Sequence, residues 1–342
     1  MSSARLLYLL LALALSACRS PAPASTIDGP LAPSIDAPAP PDAGSPDAEV
    51  APARQSYIWI WRNYKASLDA VLAHAKSFTH VSPALYQLNF DYQSGPARLL
   101  NAKDDFDGLT AAQLCKRAHD AGLRCAPLIY AGAGNFGTDQ GIHNILDDKP
   151  SGARKSFIDS MIAAAKSNGF DGYNLDWEVD NGQTSYDKYG AKLISFLTAF
   201  KAALNANGLS VSLDLGTWYI RQSDCSGGAG VVDLKALGTA VDLLIIEAYT
   251  NKIGTVAGGC PADVKTPVAC DESLVGQLTL MCLSPRATVA IGLIDPGSGP
   301  IADQALSTIR AYQFTSVALW PDDDPFLGGA DWYTPLADYL AN

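Results

Sequence analysis

The stretch Phe170-Asp171-Gly172-Tyr173-Asn174-Leu175-Asp176-Trp177-Glu178 sets two carboxylic acids two residues apart at the end of a short apolar run. In an extended strand, alternate side chains point to opposite faces. Asn174, Asp176 and Glu178 therefore share one face, and Tyr173, Leu175 and Trp177 share the other. The acids are then held about 6–7 Å apart along the strand. Each disfavours ionisation of the other, so one keeps its proton near neutral pH and can donate it. Polar groups on the inward face of a parallel strand are costly as filler, because such strands are normally apolar on both faces. The chemistry that fits is general acid–base catalysis on a polar neutral substrate.

The elements that must position these acids follow a regular alternation. Short β-rich runs begin near Tyr57, His80, Ala126, Gly172, Ser210, Val241, Thr288 and Ser316. Helix-period segments lie between them at Ser67–Ser77, Thr110–Ala121, Ala153–Ser167, Tyr186–Ala206, Leu234–Ala240, Glu272–Met281 and Ala302–Tyr312, and Trp332–Leu340 follows the last strand. Strand–helix alternation implies parallel strands with right-handed crossovers, hence an α/β fold. An open doubly wound sheet and a closed barrel both satisfy it, and a count of eight favours the (β/α)8 TIM barrel. Polar residues at the C-terminal ends of the strands then face one shared mouth.

Composition bounds the rest. The 342 residues are 48% hydrophobic, with 24 Lys and Arg against 35 Asp and Glu, giving a formal charge of −11. That excess of acid excludes nucleic acid as a partner, since phosphates require a basic patch. After Arg5, the apolar run Leu6–Leu15 is too short to span a bilayer but suits the core of a secretion signal. It ends in Leu15-Ser16-Ala17-Cys18, which resembles a bacterial lipobox. Residues 1–17 are expected to be a lipoprotein signal and Cys18 the lipid attachment point; an ordinary signal peptide with a chance Cys is the alternative. Residues 18–54, rich in Pro, Ala, Ser and Asp, read as an extended tether, and 55–342 as one catalytic domain. The expectation is an exported, monomeric chain at the cell envelope or surface of a bacterium, held to a membrane through its lipid alone.

Setting Cys18 aside, Cys115, Cys125, Cys225, Cys260, Cys270 and Cys282 allow up to three disulfides with fifteen connectivities, of which Cys115–Cys125 is a local possibility. None has the paired spacing of a zinc site, and the four histidines never form HExxH. Asp322-Asp323-Asp324 reads as a solvated loop without the spacing of an EF-hand. No metal and no cofactor are expected. Gly132-Ala133-Gly134-Asn135-Phe136-Gly137 matches GxGxxG, but it follows the third strand, with no evident helix after it and no ribose-binding acid downstream. A glycine-rich strand end beside a ligand site is the better reading.

The fourth strand resembles the DGxxxDxE signature of glycoside hydrolase family 18, the chitinase family, also written DxxDxDxE. Here it reads Asp171, Asn174, Asp176 and Glu178. Asn in place of the second acid is similar to the di-N-acetylchitobiase and spore-cortex-lytic branches. The resemblance implies a retaining, substrate-assisted mechanism, an exception to the usual pair of protein carboxylates. Glu178 would be general acid, then base, and the substrate's 2-acetamido oxygen the nucleophile. Asp176 would orient the acetamide, and Tyr249 would steady it.

The same resemblance makes Trp320 the floor under the reacting sugar and adds Asn174, Asp171 and Glu247 as substrate-binding residues. Glu247 and Thr250 depart from the family's Met-x-Tyr-Asp pattern on the sixth strand. Asp214, inward-reading on the fifth strand, is a weaker site candidate. Trp59, Trp61, Tyr86, Trp218 and Tyr219 also fall near strand ends. The segment from Leu293 to Thr315 is too short for the family's α+β insertion, which implies a shallow cleft for short or soluble glycans. The expected partner is an N-acetylated oligo- or polysaccharide: chitin oligosaccharides, peptidoglycan or an N-glycan core. The rival is a catalytically silent sugar-binding lectin, against which the intact Glu178 argues. A barrel hydrolase using Asp176 and Glu178 as conventional acid and base is a third reading.

Overall fold

The computed structural model describes residues 53–88, 97–101, 103–131, 138–177, 183–216, 233–250, 252–254, 260, 273–282, 284–285, 288–294, 299–321 and 332–341, with backbone alone at 138–140, 183–189 and 299–301. The expected signal, Cys18, most of the tether, Gly132–Gly137, Glu178, Trp218, Tyr219, Cys225, Cys270 and Asp322–Asp324 lie outside the described residues.

Strand β1 (Gln55–Ile60) pairs in parallel with both β2 (His80–Leu88) and β10 (Ser316–Trp320), which closes the sheet on itself. The remaining staves are β4 (Arg124–Cys125) continued by β5 (Leu128–Ala131), then β6 (Gly172–Trp177), β7 (Ser210–Gly216), β8 (Leu243–Glu247) and β9 (Val289–Ile294). The result is an eight-stave parallel barrel. A short strand, β3 (Ala97–Leu99), adds to β2 in antiparallel sense outside it. The third stave is split because Pro127 has no N–H for the ladder; its carbonyl still accepts from Asn174 N at 3.0 Å.

Helices α1 (Tyr64–Ala73), α2 (Ala111–Asp120), α3 (Thr138–Asp147), α4 (Ala153–Asn168), α5 (Gln183–Asn205), α6 (Leu234–Ala240), α7 (Leu274–Met281) and α8 (Gly299–Ala311) connect the staves, and α9 (Tyr333–Ala341) follows the last of them. Their ends follow local chemistry. Thr110 and Gln113 form a reciprocal capping box at the start of α2. Gly169, at φ 73°, closes α4 by donating to the Ala165 carbonyl at 2.8 Å. Helix α3 corrects one expectation, since a helix does open directly after Gly137. Gly141 and a polar first turn weaken its propensity, and burial of Ile142, Ile145 and Leu146 on one face makes up for it. No described helix is long and apolar enough to cross a membrane.

Strand parity sorts the core into two layers. Tyr57, Trp59, Leu128, Leu243, Ile245 and Ala318 fill the barrel lumen. Ile58, Leu175, Leu213, Leu244, Ile291 and Val317 face outward beneath the helices. On β6 the outward residues are large: Trp177 stacks on Phe196 of α5 at 5.2 Å, and Phe157 of α4 meets it edge-on at 5.9 Å. Such pairs add about 0.5–1.5 kcal/mol each beyond the area they bury. They hold the strand that carries the inward polar groups. Disulfides join Cys115 to Cys125, tying α2 to the third stave, and Cys260 to Cys282.

At the N-terminal end of β2, His80 is buried with its ring stacked on Tyr57 at 4.1 Å. Burial, with a smaller contribution from the Arg124 charge, pushes its imidazole down to about 3. The unfolded chain takes up that proton near the ordinary histidine value of about 6.5, so protonation favours the unfolded state as pH falls. The stability associated with neutral His80 is therefore complete above about 6.5 and declines toward about 3, by at most about 1.4 kcal/mol per pH unit. Thermal melts between pH 6.5 and 4.5, above most carboxylate titration, should show a falling midpoint, and His80→Phe should flatten that slope. An unchanged slope in the variant would place the acid sensitivity elsewhere.

Candidate active site

The inward face of β6 carries Asn174 and Asp176, as its alternation requires. Asn174 is fully buried and uses its whole hydrogen-bonding capacity inside the barrel. Its Oδ1 accepts from the Trp59 indole at 2.7 Å and from Ser82 Oγ at 3.1 Å. Its Nδ2 donates to Ser212 Oγ at 3.0 Å and to Asp214 Oδ1 at 2.7 Å. Four staves thus meet on one amide. With both amide ends engaged by protein, Asn174 serves as an internal anchor in place of the sugar contact expected from its position in the motif.

Above it, Asp176, Asp214 and Glu247 each place a carboxylate oxygen within 4.8 Å of the other two. Asp176 and Asp214 are register partners across β6 and β7, and Glu247 ends β8 on the same inward parity as Leu243 and Ile245. Asp214 and Glu247 are buried, and Asp176 is partly open at the mouth. At an effective dielectric near 20, two full charges at that separation repel by about 3 kcal/mol. Charges this close repel one another, so the cluster resists carrying all three at once. Among the described residues these are the donors with the type and spacing to grip a cation. A bare acidic cluster assigns no metal.

Tyr249, just past β8, donates from its hydroxyl to Glu247 Oε1 at 3.3 Å. Burial holds its phenol well above the ordinary tyrosine value, and the charges of Glu247, Asp214 and Asp176 push it further. It is a neutral donor at any working pH. On β9, Gly292 is in register with Glu247, and a Cβ there would come within 3.2 Å of the Glu247 Cα. The absent side chain is what lets the two strands approach at the mouth.

Aromatic rings form the other wall. Trp320, half-buried at the end of β10, lies 5.8 Å from Trp59 and 5.9 Å from Trp61 between ring centroids. Tyr130 of β5 meets Trp61 edge-on at 5.0 Å. Flat apolar faces beside an acid cluster match a pyranose ring, which has C–H faces and a polar rim. Tyr86 does not join them, because it turns outward and packs against Phe170 and Tyr173.

Asp171 is also apart from this group. It precedes β6, at the end opposite the mouth, where its carboxylate accepts from Cys125 N at 2.7 Å and contacts His119 Nε2 at 2.8 Å. Its place in the fold is that of a brace between staves, in contrast to the substrate contact implied by the motif. Glu178 lies outside the described residues, directly after Trp177. Asp214 is the member that local sequence marked least. Its signal was inward parity on a run whose other inward residues are Ser212 and Gly216.

The profile of glycosyl hydrolases family 18 matches residues 56–279. A probable endochitinase of Caenorhabditis elegans is 26% identical over 203 residues, which is 57% of this chain and 31% of that protein. The chain thus spans about a third of the length of that relative. Among solved structures, a chitinase from Chromobacterium violaceum superposes with a TM-score of 0.60 at 15% identity, covering 85% of this chain and all of that one. The spore cortex-lytic enzyme of Bacillus megaterium gives a TM-score of 0.58 at 12% identity, over 85% of this chain and 75% of that one. At such identities the superpositions speak for the barrel alone, while the matched profile covers well over half of the sequence, and the chain belongs to glycosyl hydrolases family 18.

Proposed function

We propose that this chain is a retaining glycoside hydrolase that cleaves β-linked N-acetylglucosamine in chitin oligosaccharides, peptidoglycan or N-glycan cores by substrate-assisted catalysis. The observation that carries the reading is the inward polar face of β6, with Asn174 anchored below and Asp176 at the mouth, two residues before Glu178 in the sequence. Glu178 protonates the glycosidic oxygen. The sugar's own acetamide oxygen attacks the anomeric carbon, and Asp176 orients that acetamide and offsets its developing positive charge. Tyr249, a neutral donor by its electrostatics, steadies the acetamide oxygen. Trp320 lies beneath the ring. Glu178 then takes a proton from water, which opens the oxazolinium ion with net retention.

Similarity to a probable endochitinase and a shared barrel with a spore cortex-lytic enzyme support acetylated glycans as the substrate class. Export with a lipid on Cys18, and a tether through residue 54, belong to the same proposal. They would hold the barrel at a membrane surface, within reach of an envelope or extracellular polymer.

The full-length protein, extracted from membranes, is incubated with N-acetylglucosamine oligomers and with their deacetylated counterparts, with EDTA in every reaction. Products of the acetylated set alone are the expected result. Intact-mass measurement of the same preparation reports whether Cys18 carries lipid. Equal cleavage of both sets would favour conventional two-carboxylate chemistry. Calorimetric binding without cleavage would favour a lectin, the reading against which the retained Glu178 stands.

A further inference from the structure

We propose that Asp214 is the positioning partner of Asp176, the two carboxyl groups sharing one proton across the seam between β6 and β7. The inference rests on the hydrolase reading above and gives a role to a residue that the motif does not contain. Register places the two side by side, and one oxygen of each lies within 4.8 Å of the other. Asn174 shows which way the arrangement is built. An indole N–H only donates, so the 2.7 Å bond from Trp59 fixes Oδ1 toward β1 and turns the amide N–H groups toward Asp214. Asp214, itself 4% exposed, is thereby held in place by a donor that neither takes nor releases a proton at working pH.

Among the described residues, the titratable groups facing Asp214 are Asp176 from β6 and, from β8 and its end, Glu247 and Tyr249. Glu247 receives the Tyr249 hydroxyl at 3.3 Å, whereas Asp214 is the direct register partner of Asp176, and that register makes it the carboxylate suited to exchange with Asp176. As the acetamide oxygen attacks the anomeric carbon, the amide N–H becomes more acidic. Asp176 accepts its hydrogen bond as a carboxylate while the shared proton rests on Asp214. When water opens the cyclic intermediate, the proton returns to Asp176. It only changes host within the pair, so no outside acid, base or metal enters the balance.

The test compares the full-length wild type, Asp214→Asn, and the paired exchange Asn174→Asp with Asp214→Asn. Asp214→Asn keeps an acceptor for Asn174 but removes the proton host. Its kcat should fall about 10- to 100-fold with KM within about threefold. The loss of a neighbouring negative charge lets Asp176 give up its proton at lower pH, so the limb of the pH profile that reports the shared proton should move to lower pH. The paired exchange returns a carboxylate to the β6 side and preserves the hydrogen bond with its polarity reversed. It should recover kcat to within about tenfold of wild type and restore the limb. A purely structural role for Asp214 would not be rescued by an acid on the neighbouring strand.

Melting temperatures establish that each variant is folded. Should Asp214→Asn fail to fold, the paired exchange decides alone: recovered turnover supports the inference, and a folded but inactive protein overturns it. Wild-type kcat and pH profile in Asp214→Asn would also overturn it. Absence of wild-type turnover on acetylated oligomers would sink the proposed function and this inference together, whereas wild-type turnover with an indifferent Asp214 sinks the inference only.

Discussion

Glu178→Gln is expected to abolish turnover of acetylated oligosaccharides while leaving their binding intact. Glu178 directly follows Trp177, whose ring is locked outward between Phe157 and Phe196. In the sequence Glu178 shares the alternation parity of Asn174 and Asp176, the two polar residues of the inward face. Glutamine keeps the volume and the hydrogen-bonding outline but has no proton to give to the leaving oxygen and cannot take one from water. Since the one group serves as both acid and base, the loss in kcat should exceed about 1,000-fold, at or beyond the middle of the range for a single acid–base residue. Steady-state kinetics on N-acetylglucosamine oligomers, with calorimetric titration of the variant, separates the two effects. Near-normal turnover would remove Glu178 from the mechanism. Loss of binding together with turnover would show a positioning role in place of proton transfer.

The sequence carried the strand faces further than it carried the partnerships between strands. The alternation in Gly172–Trp177 separates the lumen from the helical layer residue by residue, because a period of two leaves no other choice. His80–Leu88, Ser210–Gly216 and Ser316–Trp320 begin and end where their β-rich runs do. Helix α3 was hidden because its apolar stripe is only Ile142, Ile145 and Leu146 around a glycine. Within the site, the motif grouped Asp171 with Asp176, yet five residues of strand carry them to opposite ends of the barrel.

The reverse held for Asp214. It is far from Asp176 in sequence, and only the β6–β7 register brings them together. Register is set by packing across the whole barrel, which no local window contains. The same is true of Asn174. In the sequence Asn174 reads as a substitute for the motif's second acid, and its meaning changes once Trp59, Ser82, Ser212 and Asp214 are seen to surround it.

Asp176→Asn should separate activity from stability. In the wild type, Asp176 belongs to a cluster of three carboxylates whose oxygens lie within 4.8 Å, two of them on buried residues, an arrangement that favours function over the resting fold. The amide cannot ionise, and it can donate to a neighbouring carboxylate in place of the proton that Asp176 shares with Asp214, so the cluster carries no more charge than before. The thermal midpoint at neutral pH should therefore hold or rise. Catalysis should move the other way. An amide carries no charge to offset the acetamide as it becomes cationic, and the loss of such transition-state stabilisation costs about 100- to 10,000-fold in kcat. Since the acetamide gains that charge only during the reaction, KM should change much less than kcat. Melting curves and steady-state kinetics on one preparation check both halves. A fall in stability that parallels the fall in activity would make Asp176 a structural member of the barrel. A folded variant with kcat near wild type would remove it from the chemistry.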